Sequence, residues 1–288
     1  MSYDIYSGML KMMDNFDIKT AKAAKFVYEH EHPKLLELRE KYNIQQIAGR
    51  VDELSQALNL LNWLSEGSFH TSDYAANIPL NSLDLLEYSF GRGKERAVNC
   101  QSLATILTEC CLSIGLRART LYIMPFNPND EDNHVVSMVF VKDLDKWIML
   151  DPSYNAYFED EKAAILSPWE ARQLLADQGN IKPCKTYNYN GDYTGETSGE
   201  TPQHYIEYMA KDLFWFFSAK KNAFNSSPFE SDNAVFLAPL GFDVKKFHIA
   251  NIEYRIRKYG DKEILRNWMA KVKQEEPIYI SSCDFWQP

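Results

Sequence analysis

The chain has 288 residues, 45% hydrophobic and 25% charged, an ordinary globular mixture long enough for one large domain or two modest ones. Its formal charge of −9 gives a field that repels phosphate backbones and anionic lipid, so nucleic acid is set aside as a partner. The amino terminus carries Asp4 and Asp14 with no basic-then-apolar pattern, and the longest apolar runs, Val135 to Val141 and Leu213 to Phe217, fall far short of the ~20 residues that span a bilayer; neither a leader nor a membrane segment is expected.

Residues 1–66 read as a helical segment. Asp17 is an N-cap type for a helix running towards Glu31 and His32, where Pro33 interrupts it. Ile47, Val51, Leu54, Leu58, Leu61 and Leu64 recur at three- and four-residue spacings, one stripe of a packing helix with Gly67 as its stop. A loop from Ser68 to Pro79, a short apolar stretch around Leu83, Leu85 and Leu86, and a Gly91-Arg92-Gly93-Lys94 surface turn lead into the informative part.

From Asn99 to Gly115 the apolar positions again follow helical spacing, with Asn99 an N-cap type and Gly115 a C′ type, so Cys100 falls in the first turn. Arg117 to Met124, His134 to Val141 and Lys146 to Leu150 read as strands, the last two a hairpin around Asp143 to Asp145. These elements form a core expected over residues 67–180. A helix from Ser167 to Ala176 and a long, polar, mobile loop from Tyr187 to Gln203 follow. Tyr205, Tyr208, Met209, Leu213 and Phe216 give one more helical stripe, which Phe214, Trp215 and Phe217 make apolar nearly all round. The remainder to Pro288 reads as mixed short elements, and residues 181–288 are expected to pack on the core as one unit. There is no internal repeat.

Cys100 is the candidate nucleophile. A helix amino terminus favours the thiolate through the dipole and the unpaired N–H groups, and a histidine base completes its activation. His134 opens one strand of the hairpin and Asp151 closes the other, so the hairpin brings them to one end. With an even-numbered turn Asp151 shares a face with His134, and with an odd one it does not; the sequence leaves that register open. On the same face, the aspartate would orient the imidazole and select its tautomer.

Three motifs, Asn99-Cys100-Gln101-Ser102-Leu103-Ala104, Asn133-His134-Val135-Val136 and Lys146-Trp147-Ile148-Met149-Leu150-Asp151-Pro152-Ser153, resemble the transglutaminase-like superfamily in order, spacing and strand context. Ile114 to Arg119 is similar to that family's helix-to-strand link and Leu60 to His70 to its Trp-bearing helix, so the resemblance covers roughly residues 55–160. It implies an α+β, papain-like core with the Cys100 helix packed on an antiparallel sheet, Cys100, His134 and Asp151 as a catalytic triad, and an oxyanion held partly by the backbone N–H of Cys100. Superfamily members include cross-linking transglutaminases, peptidases, amidases and forms that have lost catalysis. The expectation is therefore a cysteine-dependent peptidase or amidase acting on a peptide or protein amide through a thioester on Cys100, with amine transfer or a non-catalytic scaffold as alternatives.

Cys110 and Cys111 face inward on the helical pattern and read as core, and Cys184 and Cys283 have no supporting context. Five cysteines without a paired framework point to a reducing cytoplasm. Cys100, Cys110, Cys111 and His134 match no zinc spacing, and neither metal nor cofactor is expected. His204 and His248 are competing bases. Asp130, Glu131 and Asp132 form either a solvated loop or a negative rim that draws in a cationic substrate. Leu213 to Phe217 and Tyr187, Tyr189 and Tyr193 are core and loop positions that could instead line an acyl groove.

Overall fold

A computed structural model describes residues 2–17, 21–74 and 76–288. The first half runs α1 (Ser2–Met12), β1 (Val27–Tyr28), α2 (Pro33–Lys41), α3 (Ile44–Ala48), α4 (Glu53–Gly67), α5 (Ser82–Ser89), α6 (Cys100–Ser113), β2 (Ala118–Met124), β3 (His134–Val141) and β4 (Lys146–Leu150). The second half runs β5 (Phe158–Glu159), α7 (Pro168–Ala176), β6 (Lys182–Pro183), α8 (Pro202–Asp212), β7 (Trp215–Ala219), β8 (Lys221–Asn222), β9 (Ala234–Leu237), α9 (Val244–Tyr259), α10 (Glu263–Gln274) and α11 (Ser282–Phe285). No helix among the described residues is long and apolar enough to cross a membrane.

The centre is a five-stranded antiparallel sheet in the order β4-β3-β2-β7-β9. Helix α6 lies on one face. Its Leu103, Ile106 and Leu107 bury against Ala118, Val139, Ile148 and Leu150 of the sheet, with α2, α4 and α5 packed outside. Each such aliphatic side chain contributes about 1.5–3 kcal/mol of burial. The other face, with Leu121, Val136, Met138 and Met149, is covered by α1, α7, α8 and the carboxyl-terminal residues. This is the expected α+β layout, a cysteine-bearing helix packed on an antiparallel sheet.

The start of the chain is less helical than its pattern suggests. Residues 21–26 carry no helix, Val27 and Tyr28 pair in parallel with Lys221 and Asn222, and 18–20 lie outside the described residues. Pro33 opens α2 rather than ending a helix, because its fixed φ and missing N–H suit the first helical position, with His32 capping the N–H of Lys34. The Ile47 to Leu64 stripe is split by Gly49 at φ 82, and Asp52 caps α4 afresh, so Val51 is exposed and the buried face becomes Ala57, Leu60, Leu61 and Leu64. Gly67 is the last residue of α4, and its missing side chain has a second cause: a Cβ there would lie 2.0 Å from the Phe90 ring.

Two further expectations fail in the second half. Trp215 to Ala219 is a strand, not the tail of a helix; α8 ends at Asp212, and a short continuous apolar run suits a strand buried on both faces as well as a helix. The remainder is not made of short elements, since α9 has 16 residues and α10 has 12.

Candidate active site

Cys100 is the first residue of α6. The Asn99 side chain accepts a hydrogen bond from the N–H of Ser102 at 2.9 Å, and Gly115 past the helix end takes φ 88, so both caps fall where the residue types put them. The N–H groups of Cys100 and Gln101 come before Leu103, the first donor within the helix, which bonds the Asn99 carbonyl at 3.1 Å, and so point out of the helix end. The hairpin turn has four residues, 142–145, and Ser137 pairs with Leu150. That even number resolves the register left open by the sequence, and Asp151 falls on the face of His134, offset by two positions.

The imidazole and carboxylate meet directly: His134 Nε2 lies 2.6 Å from Asp151 Oδ2, both 1% exposed. Asp151 is anchored by the N–H of Ser153 at 2.9 Å and by the Tyr205 hydroxyl, which donates to Oδ2 at 3.1 Å. With Nε2 committed to the aspartate, the second ring nitrogen of His134 is left for the thiol, whose ionisation it favours. Tyr208 and Tyr154 pack edge-on against the ring at 5.2 and 5.9 Å.

A second imidazole reaches the thiol. His70, in the loop after α4, stands beside Cys100 and helps lower its thiol, while its Nδ1 lies 2.9 Å from the Tyr189 hydroxyl. Its backbone is clamped by Asn190, whose Oδ1 accepts the His70 N–H at 2.8 Å and whose Nδ2 donates to the His70 carbonyl at 2.9 Å. Burial pushes the Cys100 thiol up, but the hydrogen bonds and charges of His134 and His70 outweigh it and bring the thiol down to about 6. Burial alone would lower His134; the charge and hydrogen bond of Asp151, with the Cys100 contact, hold it well above the usual histidine value. The two shifts favour a thiolate facing an imidazolium at neutral pH.

The sequence offered no local sign of His70, a lone histidine in a polar loop, nor of its clamp 120 residues away. The 187–203 segment that supplies the clamp is tied down rather than loose. Asp192 takes the N–H groups of Thr194, Gly195, Thr197 and Ser198, and the Tyr187 hydroxyl donates to the Glu200 carbonyl at 2.7 Å.

His204 pairs with Glu200 at 2.8 Å and is half-exposed. His248 packs edge-on or tilted against Trp215, Phe247 and Trp268, and burial holds its pKa down to about 4. Neither touches the thiol. The acidic loop is not a bare negative rim: Lys211 lies 3.3 Å from Asp130 and 3.1 Å from Asp132, and Lys258 binds Glu131. Asp212 is fully buried, and burial pushes its carboxyl well up. Cys110, Cys111 and Cys184 are buried and Cys283 is exposed, all four as free thiols. No group of three His, Cys, Asp or Glu among the described residues is placed to hold a metal ion.

Two cavities flank the pair. One, about 320 Å³, includes Cys100 and opens under the helix end; the other, about 400 Å³, includes His134. They meet at His70, Ser72, Asp132 and Tyr208.

No protein-family profile matches the chain, and no curated protein matches it. Among solved structures it is similar to a candidate cysteine protease from Cytophaga hutchinsonii, at 16% identity and a TM-score of 0.33. That likeness covers 52% of this chain and 48% of the other, so the chain spans about half the length of that relative.

Proposed function

We propose that this protein is a cysteine-dependent amide hydrolase or acyl transferase of transglutaminase-like type, with Cys100 as nucleophile, His134 as acid and base, and Asp151 orienting the imidazole. The observation that carries the reading is the half-buried thiol at a helix start, lowered to about 6 against a His134 locked to Asp151 at 2.6 Å. The Cys100 thiolate attacks the amide carbonyl carbon and a C–S bond forms. The N–H groups at the start of α6 hold the resulting oxyanion, and His70 adds a side-chain donor beside it. The His134 imidazolium gives its proton to the amide nitrogen, the C–N bond breaks, and an amine leaves a thioester on Cys100. The now neutral imidazole takes a proton from water, hydroxide attacks the thioester, and collapse of the adduct expels the thiolate with the free carboxylic acid. An amine in place of water would complete transfer by the same steps. Water at ~55 M needs no dedicated site, which favours a peptidase or amidase acting on a peptide or protein amide.

The test is direct acylation. N-acetyl-phenylalanine 4-nitrophenyl ester, mixed with the protein at pH 7, is expected to leave an acyl adduct on Cys100, read by peptide mass spectrometry, that decays in water and is absent in Cys100→Ala. Faster decay with added amine would identify a transferase. No adduct on Cys100 at any pH from 6 to 8 would mean a scaffold that keeps the fold without turnover.

A further inference from the structure

We propose that the 320 Å³ cavity beside Cys100 is the acyl pocket, and that it selects amides whose acyl side carries a neutral aromatic or bulky apolar group. This rests on the thioester reading above, which fixes direction: the departing amine must reach His134, so it lies in the cavity that holds His134, and the acyl part lies in the one that holds Cys100.

The floor follows from strand register. Val135 pairs with Tyr122 and Tyr122 with Phe217, so three apolar side chains form a row across β3, β2 and β7 on the face that carries α6. The Tyr122 and Phe217 rings stack at 4.3 Å. The Tyr122 hydroxyl accepts from Gln101 Nε2 at 2.9 Å, so its polar end is satisfied and the ring is what the cavity meets. Phe229 stands edge-on to both rings at 5.6 and 6.1 Å and is 55% exposed, a side chain at the mouth with area left to bury. Phe247 of α9 and Trp268 of α10 complete the wall.

Charge decides against an ionic occupant. The acidic groups on the rim already hold counter-charges, Asp130 and Asp132 with Lys211, and Glu131 with Lys258. Arg255 is held in place by its Nε–H on Asn251 and one Nη–H on the Glu131 carbonyl, and burial keeps His248 neutral. A charged acyl group would lose its water to meet rim charges already paired with one another, whereas an aromatic one gains ring contacts on three sides. A cavity of about 150 Å³ can hold benzene, so this one has room for a phenyl or indole group and adjoining main chain.

The probe is a set of N-acetyl-aminoacyl chloromethyl ketones with Phe, Ala, Lys or Glu side chains. The Cys100 thiolate displaces chloride from each and forms a thioether. Alkylation rates of Cys100 are read by mass spectrometry and divided by the rate with chloroacetamide, which needs no acyl pocket. The Phe reagent is expected to exceed each of the others by about 10-fold or more, in line with burying one aromatic side chain. Phe229→Ala and Trp268→Ala should each narrow the Phe-to-Ala ratio at least ~3-fold. Lys or Glu reagents as fast as Phe would overturn the proposal, as would a ratio untouched by both substitutions. If chloroacetamide itself modifies Cys100 no faster than the exposed Cys283, the thiolate reading falls and takes this one with it.

Discussion

Replacing His134 with Ala removes the group that contributes most to lowering the Cys100 thiol, and the effect can be worked out as a rate. With the thiol at about 6 instead of its ordinary 9.0, half of Cys100 is ionised at pH 6, against roughly one part in a thousand for an ordinary thiol, a ratio of ~500. A weaker base is a poorer nucleophile; with a Brønsted coefficient of about 0.4–0.5 that span costs ~20-fold, leaving a net advantage of ~25-fold at pH 6. By pH 8 an ordinary thiol is itself about one-tenth ionised, so the advantage has vanished. Iodoacetamide labelling from pH 5 to 9, followed peptide by peptide, should show Cys100 with an inflection near pH 6 and the exposed Cys283 as internal reference. In His134→Ala burial still pushes the thiol up, so labelling at pH 6 should fall at least ~25-fold while pH 9 labelling changes far less. An inflection unmoved by the substitution would refute the ion pair, and wild-type Cys100 labelling no faster than Cys283 at pH 6 would refute activation altogether.

His70→Ala should shift the same inflection upward by less than His134→Ala does, and His70→Gln, which keeps a donor, should recover part of it; an unchanged pH profile in both would leave His70 a structural residue. Burial raises Glu109, which accepts from the N–H groups of Ser82 and Asn225 at 2.8 Å, to about 7. Its raised carboxyl makes the folded state bind a proton that the unfolded chain has released, so its contribution to stability is fully present below pH 4.5 and is lost as pH rises through 7. The full contribution is on the order of 3 kcal/mol, seen as a falling urea midpoint from pH 5 to 8 that flattens in Glu109→Gln. Gly67→Ala would set a methyl against the Phe90 ring and is expected to cost ~1–3 kcal/mol; a thermal midpoint within a degree of wild type would show that Phe90 moves freely.

How far the sequence reached depends on what kind of interaction fixes each part. Helix α6 was legible from end to end because Asn99, Gly115 and the apolar spacing act within a dozen residues. The hairpin strands were legible too, yet their register needed the count of turn residues, which the sequence pattern alone left undecided. Trp215 to Ala219 was misread because a run that is apolar at every position carries no period, and only neighbours on both sides, β2 and β9, make it a strand. The acidic loop looked like a rim because its cations, Lys211 and Lys258, come from helices far along the chain. His70 was invisible for the same reason: its role is set by Cys100, Tyr189 and Asn190, none of them near it in sequence.

The tethering of His70 to Asn190 and of Asp151 to Tyr205 has a consequence for synthesis of the chain. Cys100 leaves the ribosome early, but the groups that hold both imidazole assemblies in place arrive about a hundred residues later, and β7, which β2 needs as a neighbour, later still. Contacts of such long sequence separation close late, after the entropy of the intervening loops has been overcome. On the proposed function, the nascent chain therefore carries an ordinary, unactivated thiol until residues 190–219 have been made, and nucleophilic power switches on only with completion of the sheet. Refolding followed by Cys100 alkylation at pH 6 would report the last cooperative step of folding, where a fluorescence signal from the six tryptophans averages over earlier ones.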